Sequence, residues 1–347
     1  MTKTTIKKLD NSEVEITGEI ETAVFEAERA HIMDALRQGV TIDGFRPGHA
    51  PDQAILEKVG DEKILFDMAE ESISKAYPSI IEEHKIDAIG RPEIIITKIA
   101  AGNPLGFKLK TAVMPIVTLP DYKKIAVKNN SAKDEEIKVE DKEIDEVLGQ
   151  LQKMRAPGST SSPQANTSPD TEPVEVPPMD DEFAKSLGRF ESLSDLRAKV
   201  GENIKMEKEA RAKDKKRATL IEEIAKDLKA ELPEILVDGE TQKMLAEMQH
   251  ETEQMGMKFE DYLTHLKKTV EDLRKDWKPL AEKRVKTGLA LHQIAETEKI
   301  TPTDEEIEHE LGHMMEHYKD LDKNRARAYI ENTLTNEKVF KFLEDLK

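Results

Sequence analysis

The sequence predicts an elongated, multidomain protein with an α+β domain at its N-terminus and an all-α domain at its C-terminus. Three observations carry this expectation. Residues 1–150 mix alternating polar and apolar segments with stretches of helical period. Residues 155–178, RAPGSTSSPQANTSPDTEPVEVPP, are rich in Pro, Ser and Thr and hold no apolar side chain larger than Val. From Met179 onward only the helical period recurs.

Taken in order, residues 3–9 and 13–20 alternate, and Asp10-Asn11-Ser12 separates them as a hairpin turn would. A helix is predicted over 21–38, ended by Gly39. A turn-rich loop follows at 44–51. A short helix starts near Pro51, a residue suited to a first helical position. A longer helix runs over 61–84 with Ile73, Ala76, Tyr77, Ile80 and Ile81 on one face. Strands are predicted at 93–99 and 105–116, joined by Ala101-Gly102-Asn103-Pro104, and again near 122–127. A connecting helix over 140–154 closes a domain that spans residues 1–153.

Residues 154–178 cannot bury enough apolar surface to fold and read as a semi-extended linker. The all-helical domain spans 179–347. One or two long helices occupy 192–232, with apolar stripes at Leu193, Leu196, Val200, Ile204 and at Leu220, Ile221, Ile224, Leu228. A continuous helix of that length would extend about 60 Å. The charged run 207–217 between the stripes reads as a solvated face. Pro233, Gly256, Pro279 and Pro302 punctuate the later helices. A helix is predicted to start with Thr301 as its cap, Pro302 first and Asp304 two positions on.

With 347 residues the chain can support two or three cores. Charged residues make up 36% of it, and no run approaches the ~18 apolar residues of a membrane span. Residues 1–20 lack the apolar core of a signal peptide, and the absence of cysteine excludes disulfides and fits a reducing cytoplasm. The net charge of −18 is shared by both halves, which argues against direct binding to DNA or any extended nucleic-acid surface.

The loop Gly44-Phe45-Arg46-Pro47-Gly48-His49-Ala50-Pro51 packs two glycines and two prolines into eight residues around an aromatic–guanidinium pair, which makes it turn-rich. Phe45 and Arg46 form an anchor pair of the kind that partners recognise. With its flank Val40-Thr41-Ile42-Asp43, this segment resembles the ribosome-docking signature of the trigger factor family, bacterial nascent-chain chaperones: Gly-Phe-Arg-x-Gly-x-x-Pro. The family usually carries lysines where Pro47 and His49 stand here. The resemblance covers about residues 1–153 and 179–347. It implies a ribosome-binding N-terminal domain, with Gly44, Phe45, Arg46, Pro47, Gly48, His49 and Pro51 as the docking residues. It also implies a helical C-terminal chaperone domain whose arms hold unfolded chains. The partners implied are a large-subunit protein at the exit tunnel and nascent or unfolded polypeptides. The resemblance admits a homodimer off the ribosome, places the chain in the cytoplasm, and calls for no cofactor. Most relatives insert an FKBP-type prolyl isomerase where this chain has its linker. The two dozen residues there fall below the ~40 needed for an independent core, so the expectation is a chaperone and not an enzyme.

Two further motifs carry alternatives to this reading. Met244, Met248, Met255, Met257, Met314 and Met315 could offer the adaptable apolar surface that client binding needs, or could fill cores. His309-Glu310-Leu311-Gly312-His313 spells H-E-x-x-H, and two histidines one turn apart can share zinc. His317, eight residues from His309, lies about 12 Å along the helix, too far to join the same ion. His309 also falls about 200° from Ile307, on the face opposite Leu311 and Met314. A zinc peptidase using His309 and His313 and a ribosome-independent holdase are the alternatives to a docking chaperone.

Overall fold

The computed structural model describes residues 3–46, 48–132, 137–155, 178–318 and 321–347. The expected linker, apart from its two ends, and Pro47 lie outside the described residues. In chain order the elements are β1 (Lys3–Leu9), β2 (Glu13–Ile20), α1 (Thr22–Gly39), α2 (Asp52–Val59), α3 (Asp61–Glu83), β3 (Ala88–Lys98) and β4 (Leu105–Val113). Among the described residues only helices follow: α4 (Tyr122–Asn130), α5 (Asp141–Arg155), α6 (Asp181–Leu187), α7 (Leu193–Asp227), α8 (Glu234–Gln254), α9 (Phe259–Leu266), α10 (Val270–Glu298), α11 (Asp304–His317) and α12 (Lys323–Glu344). No described helix is long and apolar enough to cross a membrane. The described residues form two compact units, each drawn from two stretches of the chain: 1–120 with 224–300, and 121–223 with 301–347.

In the first unit four antiparallel strands pair in the order β1-β2-β4-β3. The alternation read in residues 13–20 has a direct physical result: Val14, Ile16 and Ile20 point to one buried face. Phe107 and Leu109 of β4 join them on that face, and Leu105 caps the row. Helices α1 and α3 cover it with Phe25, Ile32, Met33, Ile64, Met68 and Ile73, giving one continuous core. At the edge of this core Tyr77 Oη lies 3.1 Å from Thr111 Oγ1. The later stretch of the unit is tied to the N-terminal stretch by hydrogen bonds outside the four strands. Thr118 and Lys229 exchange two N–H···O bonds of 2.9 and 3.2 Å, and Ser12 Oγ donates to the Glu231 carbonyl at 2.8 Å. Gly90, at φ +75°, lies against Ile235: a Cβ there would meet Ile235 Cδ1 at 2.0 Å. Helices α8 and α10 pack around Val237, Met244, Trp277 and Ala281.

In the second unit α5, α6 and the start of α7 enclose Leu148, Phe183, Ala184, Leu196 and Val200. Helices α11 and α12 pair through Ile307, Leu311, Ala326 and Ile330. Asn130, at the end of α4, donates its amide to the carbonyls of Leu343, Glu344 and Leu346, so it satisfies carbonyls that the end of α12 leaves open.

Two local expectations are corrected. The segment 122–127 is not a strand but the body of α4. Tyr122 and Ala126 are its buried residues, four apart, and Asp121 caps it by accepting from Lys124 N–H at 3.2 Å. The cap of α11 is Thr303 and not Thr301. Thr303 and Glu306 form a reciprocal capping box, which puts Asp304 first in the helix. The 192–232 stretch is one continuous helix as far as Asp227, 35 residues or about 52 Å long. Its charged run is not wholly solvated. Arg217 grips Glu337 through both terminal nitrogens at 2.8 and 2.9 Å, reaches Glu344, and lies over Phe340. Lys208 pairs with Glu143 at 2.6 Å.

Glu306 makes α11 acid-sensitive. Hydrogen bonds from Lys338 first, and from the Thr303 amide second, hold its carboxyl down at about 2 instead of the ordinary 4.5. A carboxylate whose folded value is depressed stabilises the fold above its unfolded value and loses that effect as pH falls towards its folded value. The melting-temperature gap between wild type and Glu306→Gln is therefore expected to be full at pH 6 and to close between about pH 4.5 and 2. A gap that stays constant across that window would remove Glu306 as the source.

Candidate functional site

The 44–51 loop joins the end of α1 to the start of α2, and both its feet are buried. Ile42 packs against the first-unit core, and Ala50 is buried beside it. Between the feet the backbone turns twice. Phe45 N–H reaches the Ile42 carbonyl at 3.2 Å, and His49 N–H reaches the Arg46 carbonyl at 3.0 Å. Gly44 and Gly48 occupy the third position of these turns at φ +88° and +82°. That position demands a positive φ in turns of this kind. The space around a Cβ at either glycine is open, so backbone conformation alone selects the residue. Pro51 precedes the first helical residue, Asp52, one position earlier than a first-turn proline would stand.

The result is an exposed tip on a fixed base. Phe45 keeps 44% of its surface open although the core lies close by, so it does not fold back. Arg46 beside it is also exposed and makes no ion pair among the described residues. His49 is exposed on the second turn. Arg37, in the last turn of α1, binds the base. Its Nη1 donates to Asp34 and its Nη2 to Asp52 at 2.6 Å, while its backbone carbonyl accepts from Gly48 N–H at 3.1 Å. These carboxylates, Asp52 first, raise the guanidinium pKa further above its ordinary value.

The methionine set divides. Met244 is buried in the α8–α10 packing, and Met248 and Met314 are half-buried. Met255 (70% exposed), Met257 and Met315 present their sulfur-bearing side chains to solvent. A site that sequence reading missed is a groove of about 590 Å³ in the first unit, between the β1–β2 turn, the end of β4 and residues 228–231. Leu9, Val14, Val113, Met114 and Leu228 line it, Lys8, Glu13, Lys229 and Glu231 flank them, and Ile116 stands 83% exposed at its side. Its walls are more than a hundred residues apart in sequence, so no local pattern signals it.

The histidines of α11 are all exposed, with the rings of His309 and His313 edge to face at 4.7 Å. They and the buried Ile307 and Leu311 take opposite faces, as their spacing indicated. Elsewhere Glu28, His31 and Glu71 bring one ligand atom each within 4.8 Å of one another. The Lys75 ammonium pairs with both carboxylates, 2.7 Å from Glu28 and 3.2 Å from Glu71.

Comparison with known proteins gives consistent matches. The family model described as "Bacterial trigger factor protein (TF)" matches residues 2–151, and "Bacterial trigger factor protein (TF) C-terminus" matches residues 192–345. Trigger factors from Carboxydothermus hydrogenoformans and Moorella thermoacetica are each 26% identical, aligned over 91% and 90% of this chain and 91% and 86% of their own. The Nostoc protein is also 26% identical, over 98% of this chain and 91% of its own. A solved structure described as "Promiscuous Substrate Recognition in Folding and Assembly Activities of the Trigger Factor Chaperone" shares the fold at a TM-score of 0.54 and 15% identity. The match covers 99% of this chain and all of that one. The fold and these matches define a protein-folding chaperone. Because the two models together span most of its length, the chain belongs to the trigger factor family.

Proposed function

We propose that this chaperone docks beside the ribosomal exit tunnel through residues 44–51 and holds emerging chains without ATP, cofactor or isomerase chemistry. The observation that carries the reading is the Phe45–Arg46 tip: an aromatic and a cation held out from a base fixed by two turns and an ion-paired arginine. An exposed anchor pair on a rigid support binds at low ordering cost. The acidic body adds no general attraction to ribosomal RNA, so contact has to be local and with protein. The first-unit groove and the exposed Met255, Met257 and Met315 supply apolar surface for unfolded segments. Burying a client there yields roughly 25 cal/mol per Å², and a folded product, having buried the same surface internally, leaves. The matched models leave residues 152–191 to neither, in keeping with a chaperone that carries no isomerase between its two domains. The reading puts the protein in the cytoplasm, where ribosomes are.

The test is co-sedimentation with ribosomes across a salt series, alongside suppression of aggregation of a chemically unfolded protein. Wild type is expected to pellet with ribosomes at physiological salt. Pro47→Lys/His49→Lys is expected to bind more tightly and with a steeper salt dependence, because two cations are added to the contact. Aggregation suppression without pelleting would replace this reading with a free holdase. Equal affinity and equal salt slope for the two proteins would sink the lysine argument alone.

A further inference from the structure

We propose that Arg37 is a positioning residue for docking: its guanidinium fixes the separation of the two helix ends from which the loop is hung. The inference rests on the docking reading above but concerns a residue outside the signature. Three chain segments meet at Arg37. Asp34 lies one turn back on α1, Asp52 is the first residue of α2, and Gly48 donates its N–H to the Arg37 carbonyl. One residue therefore ties the loop's entry, its second turn and its exit.

The chemistry favours arginine. A planar fork meets two carboxylates with two nitrogens held at a fixed spacing and orientation, whereas an ammonium that bridges two carboxylates, as Lys75 does, is a single point charge on a flexible stem and sets no such geometry. The side chain of Arg37 is 27% exposed, and its partners are more than 60% exposed. Pairs this open add little to global stability. Their effect is on geometry: with the loop's ends held apart at a set distance, the Phe45–Arg46 tip needs no ordering when it meets its partner. The sequence has a second reason for the clamp. In the sequence Asp34, Asp43 and Asp52 flank Arg46, and Arg37 pairs with two of these three carboxylates.

Positioning and charge predict opposite results for one variant. Asp34→Asn/Asp52→Asn makes the loop less acidic but removes both partners of the clamp. If Arg37 positions the loop, ribosome affinity falls about tenfold in this variant and in Arg37→Ala, Arg37→Lys recovers only part of it, and amide exchange speeds up across 41–50. Melting temperatures stay within about 2 °C of wild type, as for other exposed pairs. If charge alone matters, the double variant binds as well as wild type or better, and the inference is overturned. Arg37→Ala binding like wild type overturns it as well and leaves the docking reading intact, because Phe45→Ala/Arg46→Ala still reports on the tip. Wild type failing to pellet at all overturns both.

Discussion

Phe45→Ala/Arg46→Ala is expected to abolish ribosome co-sedimentation at physiological salt, with affinity lower by about 30-fold or more. Truncating a central aromatic or arginine anchor commonly costs 2 kcal/mol or more, and the two are adjacent, so the losses overlap and do not simply add. The variant should fold normally. Phe45 is nearly half exposed and absent from the buried core, Arg46 holds no structural ion pair among the described residues, and both glycine turns close through backbone atoms. Unchanged melting with lost pelleting is therefore the expected pair of results. Retained pelleting would mean that contact is made elsewhere on the chain.

The second large effect is on stability. Phe25 on α1 is fully buried between the helices and the sheet face formed by Ile16, Ile20, Leu105, Phe107 and Leu109. Phe25→Ala removes a ring from a close-packed core and is expected to cost about 3–5 kcal/mol, out of the 5–15 kcal/mol typical of a whole domain. In a unit of this size, melting should fall by about 10 °C, read by calorimetry or circular dichroism. Phe66 on α3, 44% exposed, is the internal control: Phe66→Ala should shift melting by little. Equal effects at the two positions would contradict the packing described here.

Much of this was legible in the residues. The alternation of Val14, Ile16 and Ile20 and the helical spacing of Ile73, Tyr77 and Ile80 each impose a buried face, and the structure has those faces. Gly44 and Gly48 were legible because positive φ leaves few alternatives to glycine. What was not legible depended on distance. Asp52 gives no sign in the sequence that it pairs with Arg37, fifteen residues away. The groove beside Ile116 needs residues 228–231 to exist. The charged run of α7 reads as solvated until Glu337 and Glu344 arrive to claim Arg217. At α4 the error was of another kind. A short run containing Tyr122, Ile125 and Val127 fits strand composition, and the Asp121 cap with the four-residue spacing of Tyr122 and Ala126 decided for helix.

The hydrogen bond from Ser12 to Glu231 joins residues 219 positions apart. During synthesis at about 5–20 residues per second, Ser12 waits roughly 10–40 s for that partner to be made. Thr118 waits for Lys229 in the same way. The sheet β1–β4, helices α1–α3 and their core draw only on residues before Met114, so this layer has a complete set of packing partners long before residues 228–235 exist. A growing chain thus meets a deadline in two stages: the loop-bearing layer can close early, while the groove beside it stays one-walled until the second stretch is translated.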